Sequence, residues 1–168
     1  MSEQKYHKRQ VSVEQLKTAI LLFLNGRDLS SVITLAGAAG AILERLVRNE
    51  GKRPFIDFAC NVANALSGTT PPRAKYNRYI NNRLGINDHK HMSPNCPETV
   101  EIDLQESAEN AITKAVADYV TLYGQEDDFI KAYLSWTWVY RNGPKIMQDY
   151  RNLPARRKRD GRTKLSAT

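Results

Sequence analysis

Seven consecutive residues, Leu35-Ala36-Gly37-Ala38-Ala39-Gly40-Ala41, are nearly all small, and they sit inside an apolar run that reaches about Asn49. Each glycine within a helix costs about 1 kcal/mol relative to alanine. Such a cost makes sense where a second backbone must approach closely. The other use of a small-residue run is a phosphate-cradling loop, but no strand pattern precedes this one and no Gly-Lys-Ser/Thr closes it. The run predicts a tightly packed core helix.

The rest of the chain has the same period. Ser12, with Gln15 three residues on, has the pattern of a capping box, and Leu16, Ala19, Ile20, Phe23 and Leu24 follow on one face before Gly26. Pro54 begins a third helix with Phe55, Phe58, Val62 and Leu66 as its expected buried stripe, and Gly68 stops it. After Thr69-Thr70-Pro71-Pro72 a short fourth helix, about 74–84, puts Tyr76, Ile80 and Leu84 on one face and Lys75, Arg78 and Asn82 on another. Asp103 caps the fifth helix, whose stripe of Ala108, Ala111, Ile112, Ala115, Val116, Tyr119, Val120 and Tyr123 is the cleanest in the chain. The sixth, about 127–142, is apolar nearly all round, and Gly143-Pro144 should end it, with a last short helix to about Arg151. No segment alternates at period two. The expected fold is all-α: a single-domain bundle of about six helices over 11–152, a flexible basic segment 1–10 and a disordered basic tail 153–168.

Charge bears on partners. Lys plus Arg number 25 and Asp plus Glu 18, a net +7 with a pI near 9.5. Such a balance favours an acidic partner, RNA or another polyanion. The tail contributes Arg156, Arg157, Lys158, Arg159, Arg162 and Lys164 against Asp160 alone. It suits phosphate contact without sequence choice, although such tails also serve only to solubilise. Cys60 and Cys96 are the only cysteines, and the first residues have no apolar leader, so a reducing cytoplasm is the expected location. By the reading of its run lengths, no apolar run approaches the roughly 20 residues of a bilayer span, so no membrane partner is expected.

The stretch Arg78 to His91 concentrates the chain's polar chemistry: two of its three histidines, with Asn81, Asn82, Asn87, Arg83 and Lys90. Two resemblances bear on it. The segments Gln15–Ile20 with Phe23, Thr34-Leu35-Ala36 with Ala38-Ala39 and Ile42-Leu43, and Asn87 with Lys90-His91 resemble a group of small bacterial all-helical proteins that carries no settled activity. More locally, Asn87-x-x-x-His91 followed by a loop and the capped helix from Asp103 resembles the HEPN superfamily of helical RNA-associated domains. That resemblance implies metal-independent RNA cleavage by an Arg–polar–His signature presented across a homodimer interface, with toxin or defence roles. Here Ile86 stands in the arginine's place. In the other register Arg83 and His89 keep the spacing, but Leu84 replaces the polar neighbour.

Metal-free RNA cleavage needs a base near the 2′-hydroxyl and a cation on the phosphorane. Arg83, Asn87, His89 and His91 are the candidate catalytic residues, and Lys75, Arg78, Lys90 and the tail basics Arg156, Arg157, Lys158, Arg159 and Arg162 the candidate nucleic-acid contacts. The plainer use of the same residues is to finish a helix end. His89, His91 and Cys96, with Asp88 or Asp103, make a weaker zinc pattern that no Cys-x-x-Cys supports, so neither metal nor cofactor is expected. Trp136 and Trp138 cannot share a helical face, so one is left for a second interface. Phe129, Tyr133, Trp136, Trp138 and Tyr140 are the candidate interface, with a homodimer as the expected assembly. The resulting expectation is a helical protein acting on or beside RNA, a weak or degenerate endoribonuclease at most. The alternative is a non-catalytic adaptor or inhibitor that binds a protein through the aromatic helix and basic tail.

Overall fold

In the computed structural model, which describes residues 5–90 and 99–152, every regular element is helical. In chain order these are α1 (Lys8–Leu24), α2 (Leu29–Asn49), α3 (Phe55–Ser67), α4 (Arg73–Arg83), α5 (Leu104–Tyr123), α6 (Asp128–Thr137), a π-helical turn (Trp138–Asn142) and α7 (Gly143–Asn152). The chain divides into two units, Met1–Ile130 and Lys131–Thr168. The all-α expectation holds. The expected tail, with Arg156, Arg157, Lys158, Arg159 and Arg162, lies outside the described residues.

The core of the first unit is the seam between α2 and α5, with α1 packed on α2. The small residues make it close: a Cβ placed on Gly40 would lie 3.5 Å from the Ala115 Cβ, an ordinary contact across the two helices. Around it Val32, Ile33, Leu43, Val47, Ile112 and Val116 are buried, each of the larger ones contributing about 1.5–3 kcal/mol by leaving water. By length and composition alone α2 is apolar enough to cross a membrane, contrary to the expectation from the run lengths. A core helix passes that same test, and the inward residues of α2 are spent on α1 and α5.

Three local expectations are corrected. Helix α1 begins at Lys8, with the His7 side chain accepting from the Arg9 N–H. Ser12 is buried inside the helix, its hydroxyl donating to the Arg9 carbonyl at 2.8 Å. Helix α3 is rolled so that Ile56 and Cys60 face inward, while Phe58, Val62 and Leu66 are 51%, 59% and 84% exposed. Two tethers set that roll. The Phe55 N–H donates to Asp118 Oδ1 of α5 at 2.6 Å, and Asp57 is held by Arg48 and Arg73. Pro54 offers no side-chain cap, so the buried Asp118 carboxylate takes that part.

In the second unit the helix does not stop at Gly143-Pro144. It widens into the π turn, where the Gly143 N–H reaches the Trp138 carbonyl, and then continues as α7. The wider turn accommodates a proline that has no N–H to give. A Cβ at Gly143 would meet the Trp138 carbonyl oxygen, so glycine is required there.

Candidate anion-binding cleft

Helix α4 ends in a turn, residues 84–90, that starts at Gly85 with φ +66°. The turn aims Ile86 back at α2. A Cβ on Gly37 would lie 2.5 Å from Ile86 Cγ2 and 3.3 Å from Lys90 Nζ. The missing side chain of Gly37 is therefore the space that Ile86, 3% exposed, and Lys90 occupy. Ile86, which stands where the HEPN signature has arginine, is a core plug.

Beside that plug α2, α4, α5 and the turn enclose a cleft of about 440 Å³, lined by Gly37, Glu44, Arg45, Arg48, Arg73, Asn77, Asn81, Asn87, Lys90 and Lys114 among others. On its α3 side the charges are closed into a network. Arg48 and Arg73 both donate to Asp57 Oδ1, at 2.9 and 2.7 Å, and Arg73 also donates to Glu44 Oε1. Asn77 Nδ2 donates to the other Glu44 oxygen at 3.4 Å. Two cations and two carboxylates balance there.

The other cations of the cleft are not so balanced. Lys114, on α5, is only 6% exposed, with Glu44 and Asp118 as the carboxylates whose charge it feels. Lys90, half-buried, feels Lys114. Among the described residues neither ammonium makes a hydrogen bond or a close ion pair. Burial holds both lysines below their ordinary range, and the charge of Lys114 depresses Lys90 further. Arg45 is exposed at the rim. In the cleft wall the Asn77 and Asn81 Oδ1 atoms are buried with no donor. Asn77 cannot relieve this by flipping, because its Nδ2 is needed by a carboxylate that only accepts. Asp118 has its carboxyl raised to about 6, burial outweighing the Phe55 N–H and the charge of Lys114.

The candidate catalytic residues among those described share no single cleft. Asn87 lines the cationic cleft and donates to Asn82 Oδ1. Arg83 lines a different cleft of about 350 Å³, with Ile80, Leu84, Glu101, Asp103 and Glu106. His89 belongs to the lining of neither. Its Nδ1 lies 2.7 Å from the Gly85 carbonyl, so Nδ1 carries the proton and closes the turn. His91, with Cys96, lies outside the described residues. Among those residues no three His, Cys, Asp or Glu side chains gather as metal ligands do.

Of the proposed nucleic-acid contacts Lys90 enters the cleft, whereas Lys75 and Arg78 are exposed on α4 outside its lining. In the aromatic set Phe129 stands edge-on to Tyr119, while Tyr133, Trp136 and Tyr140 form a ladder with centroids 6.2 and 5.4 Å apart. Tyr133 is buried, and Trp138 and Tyr140 are exposed. Lys114, Asp118, Glu44, Arg73 and Asn77 escaped the sequence reading, and Asn81 was given no role in it. Their one trace in the sequence is polar pairing at i, i+4: Lys114 with Asp118, Asn77 with Asn81, and Glu44 with Arg48. Compared with protein-family models, curated proteins and solved structures, the chain matches none.

Proposed function

We propose that this protein binds RNA through the cationic cleft and does not cut it. The observation that carries this is the pair Lys90 and Lys114, two ammonium groups in one cleft, neither in ion-pair contact with a carboxylate among the described residues, with Arg45 at the rim. Desolvated cations held near one another are costly until an anion joins them. In a +7 chain the anion of first choice is a nucleic-acid phosphate. Cleavage is not part of the proposal, because Arg83 and Asn87 line different clefts and His89 Nδ1 is spent on the Gly85 carbonyl.

The test is a titration of labelled single-stranded RNA at rising salt, in EDTA. Affinity should fall steeply with salt, and Arg45→Gln with Lys90→Gln should flatten the slope by about one unit per removed contact. RNA should stay intact. Absence of salt-dependent binding sinks the reading. Cleavage that disappears in a His89→Ala/His91→Ala double variant would restore the enzymatic one. A second reading rests on a different observation: Trp138, Val139 and Tyr140 of the π turn and Met147 of α7 are exposed in the second unit. Such a surface suits a protein partner, and its binding would be insensitive to salt.

A further inference from the structure

We infer that the cleft takes the terminal phosphate of a nucleotide, the phosphorylated end of an RNA strand, and not a phosphodiester within one. This rests on the RNA-binding reading and sharpens it. Lys114 is the more deeply buried of the two lysines, and it lines the cleft beside Lys90. A phosphodiester inside a strand carries a nucleotide on each side, and bringing it to Lys114 would require both to enter. A volume of about 440 Å³ is at the small end of ligand pockets, enough for one nucleotide. A terminal phosphate has one such neighbour and enters first.

The donor set agrees. A terminal phosphate monoester carries close to two negative charges at neutral pH against one for a diester, and the cleft offers two ammonium groups, Lys90 and Lys114. Glu44 does not oppose it directly, because Arg73 holds one of its oxygens and Asn77 the other. Gly37 sets the geometry, since a side chain there would clash with Ile86 and crowd the Lys90 ammonium.

The experiment compares one short single-stranded RNA in three forms, 5′-phosphorylated, 3′-phosphorylated and hydroxyl-ended at both termini. Adenosine monophosphate and inorganic phosphate serve as separate competitors against the full chain. One phosphorylated form should bind about tenfold tighter or more than the hydroxyl-ended form, as expected for an added charge-assisted contact. Adenosine monophosphate should compete better than inorganic phosphate. Lys90→Gln, at a half-buried position where folding is not at stake, should bring the ratio of the two RNAs close to one, and Lys114→Met should do the same where its melting curve shows a folded chain. Equal affinity for all three RNAs, weakened alike by Lys90→Gln, overturns the inference and leaves RNA binding standing. Binding of the mononucleotide with no binding of any RNA keeps the terminal-phosphate site and overturns the RNA reading. Binding of none overturns both.

Discussion

The cleft on Lys90 and the cleft on Arg83 draw on neighbouring stretches of the chain, yet their chemistry is opposite. Around Arg83 stand Glu101, Asp103 and Glu106, so the lining of its cleft carries a net negative charge. Around Lys90 the carboxylates are already committed, Glu44 to Arg73 and Asn77, and Asp57 to Arg48 and Arg73. An anion meets acids in one cleft and spare cations in the other. Net charge is therefore a weak guide to where a polyanion binds, and the charges that line each cleft are a stronger one.

The largest change to this comparison should come from filling Gly37. Gly37→Val displaces Ile86 and Lys90 together and should cost about 2–3 kcal/mol, as overpacking of a core does. Chemical denaturation reads the stability, and an RNA titration should show the cationic cleft lost with it. Unchanged stability would mean that Ile86 does not pack on Gly37.

Asp118→Ala comes next, because it strips the acceptor from the Phe55 N–H and should cost about 1–2 kcal/mol. Asp118→Asn keeps an acceptor and isolates the titration. The folded carboxyl, raised to about 6 from 3.8, holds its proton more tightly than the unfolded one. The folded state thus binds more protons between those values, and this group's contribution to stability is full below about 4 and is lost as pH rises through about 6. Melting curves from pH 4 to 7 should show that decline in the wild type and a flatter profile in Asp118→Asn.

Arg73→Ala frees Glu44 to face the cleft. The side chains of the pair are 38% and 12% exposed, so solvent screening limits the loss of stability to about 1 kcal/mol. RNA affinity should fall too, through the uncovered carboxylate. The smallest effect belongs to Arg83→Ala: stability within about 0.5 kcal/mol of wild type, as for most surface positions, and unchanged RNA affinity. A large loss of affinity there would transfer the binding site to the other cleft.

How far these features were legible in the residues differs by element. The Asp103 cap appears as expected, its Oδ1 accepting from the Glu106 N–H at 2.9 Å, and the α5 stripe is buried from Ala108 to Tyr119. Caps and stripes depend on spacing within one helix, which the chain carries in linear order. The roll of α3 was not legible. Phe58, Val62 and Leu66 share a face as regularly as Ile56 and Cys60 do, and the choice was made by Asp118 and Arg73, residues far along the chain. Lys114 was hidden for a similar reason. On α5 it lies beside the apolar stripe, and its burial follows from the width of the seam with α2, not from any local pattern.

By itself the sequence determined that the chain is helical, where most helices end, and that Gly37 and Gly40 must meet another element at close range. All of these follow from backbone geometry and period, which act over one to four residues. The tertiary structure alone decided that Gly37 meets Ile86 and Lys90, that Arg83 and Asn87 line different clefts, and that Lys114 is left in the same cleft as Lys90. Electrostatic partnership depends on distance in space, and the folding of α4 and its turn against α2 and α5 sets those distances.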